Sequence, residues 1–548
     1  MAQLVAHPLD VREVTSSSLV SSTIQKHLPW QVFFLYVPEG DENMKRTGEF
    51  ILRHEALFAV LLIICGALLR TLYIGACPAG FNQDEASAGY EAWSLLHYGV
   101  DRNSAAWPVL FVSWGSGQNV LYSYLSIPII AIFGLSEFSV RLLSAIAGTA
   151  SLPVFWRLCR RLGGRGFGLA GLLLLTFCPW HIMISRWALE SNLLPFFLLL
   201  GIYFTVLSLE KPWFLTGAGA AFGLSLYAYG TAFVFLPAFL VMAAAYLIAA
   251  KKLRGAPLAA AALIFAVIAL PITACNYINM TGGSETKFFG LTLPVLTQTR
   301  QTATMAFSGR NFADFIKILL SQSDGYCYNS VAGCMYFPLY YIFAAAGAVY
   351  AAMDEIKRKN GGAVVLAAVF ASFAASFFID VNINRMNMAF IPIAYLTARG
   401  LYGLCRTAWR RLPAAGTVCA CLAAALILGG AGYAARIYLT DTQDTLSDWF
   451  FQGLGDALRY TQSTDADTVY ITDSVNMPYI YALFYGRVPP DEFAATVKYR
   501  DPDAAFRQVE SFRGYIFTDG RADIYILRAD DTGGRTVLAE FGKFAVCK

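Results

Sequence analysis

The chain has 548 residues, of which 57% are hydrophobic, 15% aromatic and only 14% charged, against about 25% charged residues in soluble domains. Its apolar runs extend over most of the length, which excludes a soluble enzyme with a single anchor and points to a polytopic membrane protein. The formal net charge of +4 reflects where loops sit against the bilayer; no basic stripe is present, so nucleic acid is excluded as a partner.

Residues 1–55 are polar and mixed in charge. The run from Leu28 to Tyr36 is too short to cross about 30 Å of hydrocarbon, so this segment reads as a cytoplasmic lead-in and not a cleavable signal. Twelve apolar runs of roughly 20 residues follow: 56–75, 118–134, 139–159, 166–183, 191–209, 213–229, 231–250, 256–275, 336–353, 362–379, 387–405 and 413–434. With twelve crossings, the basic loops at Arg157 to Arg165, Lys251 to Arg254, Lys357 to Lys359 and Arg406 to Arg411 all fall outside, against the positive-inside rule.

Removing 118–134 from the count repairs every loop. That run is interrupted by Pro128 and carries Tyr122, Tyr124 and Ser126, groups suited to the headgroup level. The expected architecture is mainly α: about eleven spans plus juxtamembrane helices over 56–434, in the cell membrane, with the N-terminus cytoplasmic. Segments 76–138 and 276–335 become external loops.

Past residue 434 the character changes. Val469 to Val475, Gly514 to Gly520 and Asp523 to Ala529 are β-rich, and Asp448 to Gln462 has helical spacing, so 435–548 reads as a small external α/β domain. The 11 cysteines contain no C-x-x-C pair; Cys327 and Cys334 lie in a polar external loop where an oxidising compartment would allow them to join.

Three constellations carry candidate chemistry. Asp84 and Glu85, in FNQDEASAGYEAW, either cap the following helix or supply a general base in a membrane-surface groove. That groove would be walled by two surface helices, with Tyr90, Trp114 and Gln118 as substrate-facing residues. Arg186 and Glu190, in PWHIMISRWALESN, are four apart on a short external helix; they pair with each other or face the same groove, where Arg186 would meet an anion. Arg385, at the outer mouth of a late span in DVNINRMNMAFIP, is either a snorkelling arginine or a phosphate ligand. His97 and His181 are isolated, so no metal ligands are assigned.

The order of these pieces resembles a known family. A first span, the DE pair, YEAWSLLHYG, WPVLFVSWGSGQNVLYSYL, IFGLSEFSVRLLSAIAG and the basic turn RLCRRLGGR are similar to the membrane glycosyltransferases of the protein O-mannosyltransferase and aminoarabinose transferase group, with the GT-C fold of glycosyltransferase family 39. The resemblance covers about residues 56–400.

It implies transfer of a sugar from a polyprenyl-phosphate donor to an acceptor hydroxyl on protein, lipid or envelope glycan at the external face. By position it implies Asp84 as general base, Glu85 as its support, Arg385 and Arg186 as donor-phosphate ligands, and Glu190 in the groove. Gly117-Gln118-Asn119 stands where aminoarabinose transferases have a lysine before a Pro-Pro pair, so lipid A is not carried over as acceptor. No cofactor is firmly implied; the ligand set for a divalent metal is incomplete and that requirement stays open. The rival reading is a transporter or flippase of lipid-linked sugars, which needs ionisable groups deep in the spans.

Overall fold

The computed structural model describes residues 50, 53–298, 306–331, 333–504, 506–518 and 520–548. The lead-in expected over Leu28 to Tyr36 lies outside them.

From the N-terminal side the helices are α1 (Glu55–Thr71), α2 (Gln83–Tyr98), α3 (Leu121–Phe133), α4 (Glu137–Gly163), α5 (Arg165–Thr176), α6 (Pro179–Ile184), α7 (Leu194–Ser208), α8 (Phe214–Ala228), α9 (Ala232–Ala249) and α10 (Gly255–Thr281). They continue with α11 (Gly309–Ser321), α12 (Tyr340–Arg358), α13 (Gly362–Ala375), α14 (Asn387–Arg411) and α15 (Pro413–Leu439). A last group, α16 (Asp441–Trp449), α17 (Leu454–Thr461), α18 (Pro478–Gly486) and α19 (Pro490–Thr496), belongs to the C-terminal region. The sequence-derived spans coincide with α1, α4, α5, α7 to α10 and α12 to α15. Among the described residues six helical stretches are long and apolar enough to cross a membrane by length and composition: Glu137–Gly163, Glu190–Ser208, Ala232–Ala249, Gly255–Thr281, Asn387–Arg411 and Pro413–Leu439.

Several boundaries differ from expectation for local reasons. The run 166–183 is not one helix: α5 stops at Thr176, and Pro179 starts α6, because a proline inside a helix removes a donor and clashes with the preceding turn. The run at 118–134 yields the 13-residue α3, about 20 Å long at 1.5 Å per residue and short of the hydrocarbon thickness. The helix expected over 448–462 is broken between α16 and α17 at Gly453, with φ +93°, where a Cβ would collide with the carbonyl of Phe541.

Short strands β1 (Leu110–Phe111) and β2 (Gln118–Asn119) pair antiparallel, as do β3 (Thr286–Phe288) and β4 (Leu291–Leu293). The C-terminal region holds β5 (Val469–Ile471), β6 (Lys498–Tyr499), β7 (Val509–Phe512), β8 (Tyr515–Ile516), β9 (Ile524–Arg528), β10 (Val537–Phe541) and β11 (Phe544–Cys547). They form one sheet in the order β10-β11-β9-β5-β8-β7-β6, with β5 parallel to both β8 and β9. The final hairpin, β10 and β11, was not expected.

The decisive feature for the site is how this region meets the first long loop. Helix α2, expected to lie on the bilayer surface, is buried from Glu85 to Leu95. Tyr90 Oη donates to the carbonyl of Val488 at 2.6 Å, and Tyr481 Oη to that of Phe81 at 2.9 Å, so α2 packs beneath α18. Cys327 and Cys334 are both free thiols.

Candidate active site

The acidic pair divides its labour at the first turn of α2. Asn82 caps the helix: its side chain accepts from the Asp84 N–H at 2.9 Å, while Glu85 Oε2 accepts from the Asn82 N–H at 3.0 Å. This is the reciprocal capping box, and it turns Glu85 inward.

Glu85 is fully buried. Its Oε1 accepts from Arg141 Nε and from the Ala188 N–H, each at 2.8 Å, and its Oε2 from Arg141 Nη2 at 2.8 Å. Arg141, itself fully buried, also donates to the carbonyls of Ile74, Pro78 and Gly80 at 3.2, 2.9 and 2.6 Å. One bidentate ion pair therefore ties α2, α4, the 74–80 loop and the segment after α6 together. Gly80 is required where the loop meets the C-terminal region: its φ is +80°, a Cβ would collide with the carbonyl of Phe450, and that carbonyl accepts from the Phe81 N–H at 2.5 Å.

Asp84 faces the other way. It lines a cavity of about 500 Å³ with Asn82, Gln83, Trp187, Leu189, Tyr328, Asn384, Asp448, Trp449, Phe451, Ser474 and Asn476. Its place in the first turn of α2 favours negative charge there through the helix dipole. The second carboxylate, Asp448, is engaged by Arg528 at 2.7 Å and Lys543 at 3.2 Å. Hydrogen bonding from Arg528 holds its carboxyl below the usual range, which makes it a weaker base.

A second, apolar groove of about 450 Å³ runs between α1, α6 and α15, lined by Leu68, Leu72, Phe177, Met183, Ala435 and Leu439 among others. Arg186 reaches it. The arginine is buried; its Nη1 donates to the carbonyl of Leu69 at 2.7 Å and its Nη2 to those of Leu72 and Cys77 at 2.8 and 2.9 Å, leaving Nε without a partner. Between groove and cavity lies a constriction of about 10 Å³ lined by Met183, Trp187, Tyr328, Tyr438 and Phe450. Met183 and Tyr438 are shared with the groove, and Trp187 and Tyr328 with the cavity.

The other expected site residues are placed differently. Arg385 donates to the Asp380 carboxylate at 2.5 Å and to its carbonyl at 2.9 Å; its neighbour Asn384 is the one on the cavity wall. Arg186 and Glu190 do not share a helix, because α6 ends at Ile184; Glu190 instead accepts from the Asn119 N–H. Tyr90, Trp114 and Gln118, expected in the groove, are buried. Tyr90 is bonded to Val488 as above, Gln118 accepts from Ser87 Oγ at 2.8 Å, and the Trp114 ring carries the Arg102 guanidinium 5.1 Å from its centroid. Covering by the C-terminal region turned these residues into packing. That region supplies Asp448, Trp449, Phe451, Ser474 and Asn476 instead. Among the described residues no three His, Cys, Asp or Glu side chains gather to hold a metal ion.

Beneath the cavity, Arg102 Nε donates to buried Glu91 at 2.5 Å. Next to this pair, burial and the Glu91 charge push the Asp101 carboxyl up to about 7 from 3.8. The folded protein then holds a proton that the unfolded chain releases above its ordinary value, so stability falls as pH rises from about 4 to about 7 and is level above. Asp101→Asn should flatten that slope; thermal unfolding at pH 5 and pH 8, wild type against variant, measures it.

Residues 118–277 match the family model described as dolichyl-phosphate-mannose-protein mannosyltransferase. No curated protein sequence matches the chain. Among solved structures it is similar to ArnT from Cupriavidus metallidurans bound to undecaprenyl phosphate, with a TM-score of 0.55 and 14% identity, covering 90% of this chain and 97% of that one. The apo form of the same protein gives 0.54 with the same identity and coverage. The Archaeoglobus fulgidus oligosaccharyltransferase tethered to an acceptor peptide gives 0.49 at 15% identity, over 80% of this chain and 63% of that one.

Proposed function

The chain has the GT-C fold of membrane glycosyltransferases, and from that premise we propose that it transfers a sugar from a polyprenyl-phosphate donor to an acceptor hydroxyl outside the cytosol. The observation that carries this reading is the junction of two unlike spaces. A polar cavity holding Asp84 and an apolar groove holding Arg186 flank one small void of about 10 Å³, whose lining takes Trp187 and Tyr328 from the cavity wall and Met183 and Tyr438 from the groove wall. A donor with a hydrocarbon tail, an anionic linker and a sugar needs these three environments in that order.

The chemistry follows. Asp84 takes the proton from the acceptor hydroxyl as its oxygen bonds to the anomeric carbon. The bond from that carbon to the phosphate oxygen breaks, its electron pair stays on the leaving polyprenyl phosphate, and a guanidinium neutralises the charge that develops there. Arg186, on the groove wall, supplies that guanidinium, and Arg385, next to cavity-lining Asn384, joins it on release from Asp380.

The charge distribution supports an extracytosolic cavity. Arg160 and Arg165, at the turn between α4 and α5, pair with Glu55 at the start of α1, at 3.1 and 3.7 Å, whereas the Asp84 loop follows the end of α1. The basic turn and the acid therefore lie at opposite ends of the bundle, as positive-inside insertion requires if Asp84 is outside. In this reading 56–434 is the membrane domain and 435–548 an external cap.

The test is release of polyprenyl phosphate from a polyprenyl-phosphate-hexose donor by protein reconstituted in liposomes. Ala435→Trp, which fills the groove at an exposed position, should slow release at least about tenfold, and Arg385→Ala should weaken donor binding with little loss of fold. Unchanged turnover in the groove variant would remove the groove as the tail site.

A further inference from the structure

The Asp84 cavity does not end at the membrane domain. Ser474 and Asn476 also line a second hollow of about 390 Å³, together with Asp473, Val475, Met477, Pro478, Arg500, Gln508, Val509 and Phe517. Both volumes fall within the range of small-molecule sites. The shared residues form the loop between β5 and α18, at the carboxyl end of a strand whose two neighbours are both parallel to it. One neighbour, β8, leads outward to β7 and β6, and the other, β9, to β11 and β10. Phe517, just after β8, also lines the hollow, which therefore lies at the carboxyl ends of two parallel strands, β5 and β8.

We infer that the acceptor is a glycan of at least two sugar units, its reacting unit beside Asp84 and its next unit in the hollow of the 473–478 loop. This rests on the transferase reading for which unit reacts, but the glycan site stands on its own lining. The Asp84 cavity offers the aromatic rings of Trp449, Phe451 and Tyr328, and the loop hollow offers Phe517 with the short hydroxyl, amide and carboxylate groups of Ser474, Asn476, Gln508 and Asp473. Such a set matches a ligand that is apolar on its ring faces and hydroxylated at its edge. A peptide bound by strand addition needs a free sheet edge. Here β5 is interior, hydrogen-bonded on both sides, and offers none.

The test is binding of linear mannotriose, chitotriose and maltotriose, and of a serine-rich peptide, to the full-length protein in detergent. Wild type should bind at least one trisaccharide. The double variant Arg500→Ala/Gln508→Ala, at residues outside the Asp84 cavity, should weaken that binding at least tenfold, while Arg310→Ala, an exposed residue of α11 that lines neither hollow, leaves it within twofold. Absence of trisaccharide binding to wild type, equal binding to the double variant, or binding of the peptide alone would overturn the inference. Trisaccharide binding lost in the double variant, with no donor turnover in wild type, would uphold the glycan site and refute the transferase reading; turnover onto peptide would do the reverse.

Discussion

Asp84→Asn should reduce sugar transfer by about 10²–10⁴-fold, the range a positioned general base contributes, while donor binding and thermal stability stay near wild type. The reason lies in how the first turn of α2 is built. The backbone N–H of Asp84 bonds to the Asn82 cap, and the neighbouring Glu85 carboxylate ties the loop to Arg141 and Ala188. Replacing the Asp84 carboxylate by an amide of the same shape removes proton affinity and leaves the cap and the ion pair in place. Steady-state kinetics with a saturating donor separate the cases: a loss in kcat with unchanged KM for the donor fits a base, whereas a loss in donor affinity alone would assign Asp84 to binding. Asp448, in the same cavity but already tied to Arg528 and Lys543, should not rescue the variant.

Arg141→Ala should have the largest effect on stability. It leaves Glu85 buried without a counter-charge, which costs about 3–5 kcal/mol, and releases the carbonyls of Ile74, Pro78 and Gly80 from their shared donor. Glu85→Gln keeps the shape but strands the Arg141 guanidinium, with a cost of the same order. Each single variant should lower the thermal aggregation midpoint in detergent. The double variant Glu85→Gln/Arg141→Met, which removes both charges, should recover part of the loss, because no buried charge is then left unpaired. Additive losses in the double variant would show that the two side chains are not coupled.

These two results would separate the roles that adjacency in the sequence conceals. The DE pair reads locally as two acids at a helix start, and the structure separates them: Glu85 completes the cap, and Asp84 lines a cavity. Periodicity could not divide them, because the direction of Glu85 is set by Arg141, 56 positions along the chain.

The membrane helices were legible because crossing hydrocarbon demands long apolar runs. Basic loops set 118–134 aside from the spans; it forms the 13-residue α3, one residue longer than α5, so loop charge and not length is what distinguishes it. The cavity was only half legible. Its membrane-domain wall includes Asp84, but Tyr90, Trp114 and Gln118 were assigned to a surface that does not exist once α18 lies on α2. The amphipathic spacing of α2 looks alike whether its polar face meets water or, as with Glu91 and Arg102, meets a buried partner. The opposite wall, Asp448, Trp449 and Phe451 with Ser474 and Asn476, comes from the far end of the chain and carries no local motif.

The central claim is that one continuous site holds both halves of a lipid-linked donor, and a structure of the protein with a non-hydrolysable polyprenyl-phosphonate hexose tests it most directly. The account predicts the tail along the groove between α1 and α15, the phosphonate within hydrogen-bond distance of Arg186 or Arg385, and the hexose beside the Asp84 carboxylate. A tail on any other face of the bundle, or a hexose away from Asp84, would contradict it.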